Sequence, residues 1–200
     1  MFQQVSPFER IRIFFSRREE LPVLILINIA IWISSVLIRN FAFLFASPES
    51  ATTGLYKENI TEWIMQSFAV PANTNVLIEK PWTLLTYMFL HTDFMHILFN
   101  MLWLWWFGVI FIQYLSQKQL LATYLFGGLA GAILYVAAFN FFPVFSLVRE
   151  SAVALGASAS VLAVVVAIAF YVPDYSVNLL FLGQIKIKYI AIFTVFTDLL

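Results

Sequence analysis

The 200-residue sequence contains no cysteine, and only 11% of its residues are charged. The missing thiols exclude disulfide bonds, cysteine nucleophiles and cysteine-ligated metal sites. Soluble domains carry roughly 25% charged residues. The low charge, together with 62% hydrophobic residues and a mean hydropathy of +0.89, is therefore typical of a protein surrounded by lipid. The net charge is zero, which does not favour a nucleic-acid partner.

Long apolar runs predict an all-α polytopic membrane protein. Residues 21–38 carry no charge and give roughly 27 Å of helix, close to the thickness of the hydrocarbon core. A cleaved signal peptide is the alternative, but its apolar core would be shorter, and no small-residue cleavage site closes this run. The predicted spans are residues 21–38, 93–112, 120–142, 156–172 and 187–200.

The segments outside the spans are also predicted to contact the membrane. Residues 1–20 carry four arginines among apolar residues, which indicates a cytoplasmic amphipathic segment on anionic lipid. Residues 41–80 form a long external segment. Within it, residues 57–68 predict a short helix in the membrane interface, and Pro71 follows its end. The apolar side of this helix carries Trp63, Ile64 and Phe68.

Basic residues are distributed unevenly between the two ends of the predicted bundle. Seven fall at one end and four at the other, and the side with more short-loop lysine and arginine is the cytoplasmic one. This predicts a cytoplasmic N-terminus and a location in the cell inner (plasma) membrane. The first group is Arg10, Arg12, Arg17, Arg18, Lys118, Lys186 and Lys188, and the second is Arg39, Lys57, Lys80 and Arg149.

Small residues surround Ser158 at the start of the short fourth span. The sequence Leu155-Gly-Ala-Ser-Ala-Ser160 has two interpretations: close helix packing, or a reachable serine hydroxyl in a recess below the outer surface. Taken alone, the run favours packing, because such residues are enriched wherever membrane helices meet. Gly127 to Gly131 in the third span predicts a packing face of the same kind.

His96 and Asn100 are four residues apart and therefore share one face of the second span. Unpaired donors in lipid are costly, so both should point into the bundle. They could form a structural hydrogen bond between helices, or donate to negative charge that develops during acyl transfer. A metal site with His91 is the third possibility. It is disfavoured because histidines five positions apart point in different directions around a helix, and no cysteine or glutamate completes a set. His91 itself is expected near the outer surface, away from the packed interior.

The segments His91–Asn100 and Gly156–Ser158 together resemble the rhomboid family of intramembrane serine proteases, of the bacterial type. The resemblance runs from about Pro81 to the end of the sequence. It implies a helical bundle with five of six core membrane helices present, transmembrane proteins as substrates, and neither cofactor nor metal. It also implies that Ser158 is the nucleophile, preceded by the motif glycine Gly156. His96, Asn100 and the Ser158 backbone N–H would form the oxyanion hole.

Three positions depart from the family pattern. Trp82 is followed by Thr83 where the family often has arginine, and Leu162 stands where an aromatic residue is common. The family's general-base histidine lies on a sixth helix, and this sequence has no histidine after His96. We therefore interpret the sequence as truncated before that helix and expect these 200 residues to be inactive. A catalytically inactive relative that binds membrane clients without cleaving them is the alternative function.

Overall fold

The computed structural model describes residues 19–49, 54–179 and 183–199, together with the single residues 9 and 14. The predicted segment 1–20 thus lies almost wholly outside the described residues. Within them the chain forms eight α-helices and two small antiparallel sheets. The helices are α1 Glu20–Phe41, α2 Leu55–Phe68, α3 Thr74–Glu79, α4 Thr83–Thr86, α5 Phe94–Tyr114, α6 Gln117–Phe141, α7 Ser158–Tyr171 and α8 Ile187–Leu199. The strands are β1 Val70–Pro71, β2 Val153–Ala154, β3 Ser176–Leu179 and β4 Gly183–Lys186.

Five of these helices are long or apolar enough to belong in a bilayer. The α1 helix continues into a 3₁₀ turn to give 26 residues, while α5 has 21 residues and α6 has 25, so each is long enough to cross a membrane. The α7 and α8 helices are apolar but shorter. The 14 residues of α7 give roughly 21 Å of helix, less than the roughly 30 Å of the hydrocarbon core. The prediction of an all-α polytopic membrane protein is confirmed.

Contacts between helix ends show that the long helices run in alternating directions. The Leu21 backbone N–H donates to the Gln117 side chain (3.1 Å), which joins the start of α1 to the start of α6. At the other end, the Asn140 amide of α6 donates to the Ala72 carbonyl (2.8 Å). The external segment and the connection from α6 to α7 therefore lie at the same end of the bundle, and β1 pairs with β2 there.

The α7 helix is the central element and packs against α5, α6 and α8. Small residues allow its close approach to α6. A Cβ added at Gly127 would overlap Ala163, and one added at Gly131 would lie 2.5 Å from the Ala159 Cβ. The predicted packing face at Gly127–Gly131 is confirmed, with α7 as its partner.

A buried polar network fixes the turn that precedes α5. The Asn28 amide donates to the Tyr124 hydroxyl (3.2 Å), and that hydroxyl donates to the Met88 carbonyl (3.2 Å). The Tyr87 hydroxyl donates to the Gly128 carbonyl. These bonds connect α1 and α6 to the 3₁₀ turn Tyr87–Phe89, so the chain enters α5 from a fixed position.

Side chains from the following segment hold the C-terminal end of α2. The last carbonyls of a helix have no partner within it. Here the Gln66 carbonyl accepts from Lys80 Nζ (2.9 Å) and the Ser67 carbonyl from Trp82 Nε1 (2.9 Å). The Phe68 carbonyl accepts from Thr86 Oγ1 (2.7 Å). The Trp82 side chain therefore braces the external segment even though arginine does not follow it.

The residues on the predicted apolar side of α2 point in two different directions. Trp63 is 56% exposed and contacts Phe68 edge-on, so both rings face outward. Ile64 instead lines a small space that His91 also borders. The helix itself forms as predicted and ends at Phe68, before Pro71.

Candidate active site

The first turn of α5 is fixed by an N-cap and presents two donors. The Asp93 side chain accepts the His96 backbone N–H (2.8 Å), which confirms the predicted cap. One turn later, the Asn100 amide donates to the His96 carbonyl (3.0 Å) and is buried. An amide group has two N–H bonds, so Asn100 keeps one further donor.

Gly156 brings the start of α7 against His96. Its φ of +117° lies in the region that favours glycine. A Cβ at this position would lie 2.8 Å from both Cε1 and Nε2 of the His96 ring. The Gly156 N–H donates to the Tyr87 carbonyl (2.9 Å) and so fixes the backbone there. Glycine is therefore required for two reasons, its backbone conformation and the contact with His96.

One cavity of about 350 Å³ brings the predicted site residues together. Ser158 is the first helical residue of α7, and its side chain is exposed to this space. His96 and Asn100 face the same cavity from α5. The remaining lining is mostly apolar: Met95, Phe99, Trp103, Val161, Leu162 and Thr194. A hydroxyl and two side-chain donors thus meet in a largely apolar environment.

The N-terminus of α7 adds backbone donors to this cavity. The first N–H groups of a helix have no partner within it and carry a partial positive charge. Since α7 begins at Ser158, its N–H belongs to this group. The arrangement can therefore stabilise an oxygen that becomes negatively charged beside the Ser158 hydroxyl.

The prediction for His91 was wrong. The residue is only 4% exposed, and its ring lies edge-on to His96, with 4.9 Å between the ring centroids. The buried turn Tyr87–Phe89 carries the chain inward, and Ile64 of α2 borders the same small space as His91. Burial, and after it the neighbouring His96, lowers the pKa of His91 to about 4. His91 is therefore neutral at neutral pH.

The two histidine rings are adjacent, contrary to the expectation that they would point apart around one helix. His91 precedes α5, so helical spacing does not separate it from His96. In the part of the chain that the structure describes, no group of three histidine, aspartate or glutamate residues could hold a metal ion.

Comparison with known proteins adds one match. A family model described as Rhomboid domain matches residues 79–199, which include α4 to α8 and every residue of the cavity. Neither a search of curated proteins nor a search of solved structures finds a match.

Proposed function

Because the chain belongs to the rhomboid family, we propose that it is an intramembrane serine endopeptidase that cleaves transmembrane segments of other proteins. Family membership makes it a membrane protein related to intramembrane proteases and their inactive relatives. One observation supports the proposal of serine endopeptidase activity in particular. The close contact of Gly156 with His96 gathers Ser158, His96 and Asn100 around a single cavity.

In the proposed reaction, Ser158 Oγ attacks the scissile carbonyl carbon of the substrate. The carbonyl oxygen becomes negative and accepts hydrogen bonds from His96, Asn100 and the Ser158 backbone N–H. Each such donor is typically worth about 10²–10³ in rate. The amine product leaves with a proton, and water then releases the acyl group from Ser158.

The serine needs a general base, because a hydroxyl is a weak nucleophile at neutral pH. The sequence contains two histidines. His96 serves as a donor in the proposed oxyanion hole, and His91 is not part of the Ser158 cavity. The family resemblance implies that this base is a histidine on a sixth membrane helix, so we expect the 200 residues alone to be inactive.

The lack of a histidine base in this sequence favours a second candidate function. The protein could engage membrane clients without cleaving them, as inactive members of the family do. The preserved set of Ser158, His96 and Asn100 argues against this candidate, since client binding has no chemical need for a nucleophile facing two donors.

The proposed membrane placement follows from charge. The end of the helical bundle with seven basic residues lies on the cytoplasmic side of the plasma membrane, so the N-terminus is cytoplasmic. The Ser158 cavity then opens toward the outer face, beside the external segment.

Labelling by a fluorophosphonate probe tests the proposed nucleophile. The 200-residue chain should label no better than its Ser158→Ala variant, since it supplies no general base for the Ser158 hydroxyl. Adding imidazole as a small external base should produce labelling that depends on Ser158. A folded chain that stays unlabelled with imidazole, or that labels equally as Ser158→Ala, would refute the assignment of Ser158.

A further inference from the structure

His91 is a buried imidazole whose ring nitrogens make no hydrogen bond of good geometry in the described part of the chain. Its exposure is 4%, and the Phe89 backbone lies close enough to influence the ring, but neither Nδ1 nor Nε2 has a well-aligned donor or acceptor there. Buried polar groups normally have such partners, and a poorly paired one destabilises the folded state. Such a residue calls for an explanation beyond packing, because a leucine of similar size would fill the same place without this cost.

The surroundings of His91 do not place its ring beside the Ser158 hydroxyl. It borders a space of about 20 Å³ that is lined by residues of α1, α2 and the segment before α7, including Arg39, Thr61 and Leu155. It does not line the larger cavity of Ser158. The nearest chemistry-bearing group is His96, whose ring it meets at an interplanar angle of 67°.

Two neighbours therefore lie close to the His96 ring. The backbone of Gly156 approaches its Cε1 and Nε2, and the His91 ring meets the imidazole at a steep angle. The His96 side chain has no hydrogen bond that would otherwise set the ring plane, in the part of the chain described. Edge-to-face contact between aromatic rings depends on their relative orientation.

We propose that His91 is a positioning residue that fixes the ring plane of His96, and so the direction in which His96 donates into the Ser158 cavity. The ring contact with His91 and the close approach of the Gly156 backbone together provide the restraint. The low pKa of His91 supports this arrangement, since a neutral ring adds no charge beside the donor.

The consequence for catalysis rests on the proposed function, whereas the restraint on His96 does not. An oxyanion donor is useful only when it already points at the developing charge. If His91 holds His96 in that direction, its loss should disorder the donor while leaving Ser158 in place.

Nuclear magnetic resonance of the histidine rings tests the proposal directly. With only two histidines in the sequence, selective ¹⁵N labelling gives two ring spin systems, and each His91 variant leaves only that of His96. In the wild type, the His96 ring protons should show cross-peaks to the Gly156 α-protons. His91→Phe, which keeps a ring edge, should retain these cross-peaks. His91→Leu, which fills the space without a ring, should lose them, because the His96 ring then adopts other orientations.

Controls separate positioning from general destabilisation. Phe111→Leu removes a buried ring from the far end of α5 and should leave the His96 signals unchanged. All variants are compared by helical content and by monodispersity in the same micelles. If His91→Leu does not fold, the milder variant His91→Met is compared with His91→Phe instead. A folded His91→Leu or His91→Met with wild-type His96 cross-peaks would overturn the proposal.

An activity measurement then connects the restraint to the site. The rate of imidazole-assisted labelling at Ser158 should fall in His91→Leu and recover in His91→Phe. If the His96 signals change in His91→Leu but the wild type does not label with imidazole, the positioning role stands and the proposed function is refuted. Unchanged labelling in His91→Leu, despite labelling of the wild type, would count against positioning.

Discussion

The Gly156 backbone lies against the His96 ring, so close that a Cβ on Gly156 would be 2.8 Å from two ring atoms. This contact joins α5 to the start of α7 and thereby brings a donor beside a hydroxyl. Two glycine properties contribute, a positive φ and the missing side chain. They can be separated experimentally, because Gly54 also has a positive φ but has no atom within 4 Å of an added Cβ.

Gly156→Ala should destabilise the fold by more than Gly54→Ala. Both variants place alanine at a positive φ, which costs about 1–3 kcal/mol. The strain is larger at the +117° of Gly156 than at the +79° of Gly54, and only Gly156→Ala also adds a collision with His96. Unfolding by sodium dodecyl sulfate in mixed micelles measures the difference. Gly156→Ala should also reduce imidazole-assisted labelling at Ser158. Equal destabilisation of the two variants would show that the His96 contact contributes nothing to stability.

Gly127→Ala should destabilise the packing of α6 on α7, because the added Cβ would overlap Ala163. Forced overlap in a packed core typically costs about 1–3 kcal/mol. Ala163→Gly removes the colliding methyl group, so the double variant should recover much of the loss. The same unfolding assay measures all three variants. Additive losses in the double variant would contradict the predicted direct contact.

Trp82→Phe should loosen the external segment without unfolding the bundle. The substitution keeps most of the ring but removes the N–H that donates to the Ser67 carbonyl. A hydrogen bond of this kind contributes about 0.5–1.5 kcal/mol net. Amide hydrogen exchange should therefore become faster in α2 while remaining slow in α6. Uniform acceleration across the protein would indicate a global loss of stability instead.

The long helices could be predicted from the sequence because each depends on local apolar runs and caps. Asp93 and Gly127 also reveal their roles locally, one by its place before a helix and the other by its small neighbours. His91 could not be placed, since its burial depends on a non-helical turn and on the packing of α2. The bonds from Lys80 and Trp82 to α2 likewise join residues 14 and 15 positions apart with no periodic signal. The approach of His96 to Ser158 was implied only by family resemblance.

Trp63 should lie at shallow depth in the outer membrane interface. Its side chain is 56% exposed on a helix that presents Phe68 beside it, and amphipathic rings favour the headgroup region. Quenchers attached near the lipid headgroups should reduce its fluorescence more than quenchers at the bilayer centre. Since the sequence has six tryptophans, the Trp63 signal is taken as the difference from Trp63→Phe. Strong quenching of that difference by aqueous iodide would contradict this placement.

His96→Ala and Asn100→Ala should each slow the imidazole-assisted labelling of Ser158 by about 10²–10³, the usual cost of removing an oxyanion donor. Both side chains line the serine cavity, and the probe's phosphoryl oxygen becomes negative as the bond to Oγ forms. Each variant should lower the maximal labelling rate. The probe concentration that gives the half-maximal rate should change little, because the donors act chiefly in the transition state. Thr194→Val is the matched control, since Thr194 lines the same cavity but its hydroxyl donates to the Ile190 carbonyl within α8. A loss in Thr194→Val as large as that in Asn100→Ala would mean that the cavity's shape, and not these two donors, governs the reaction.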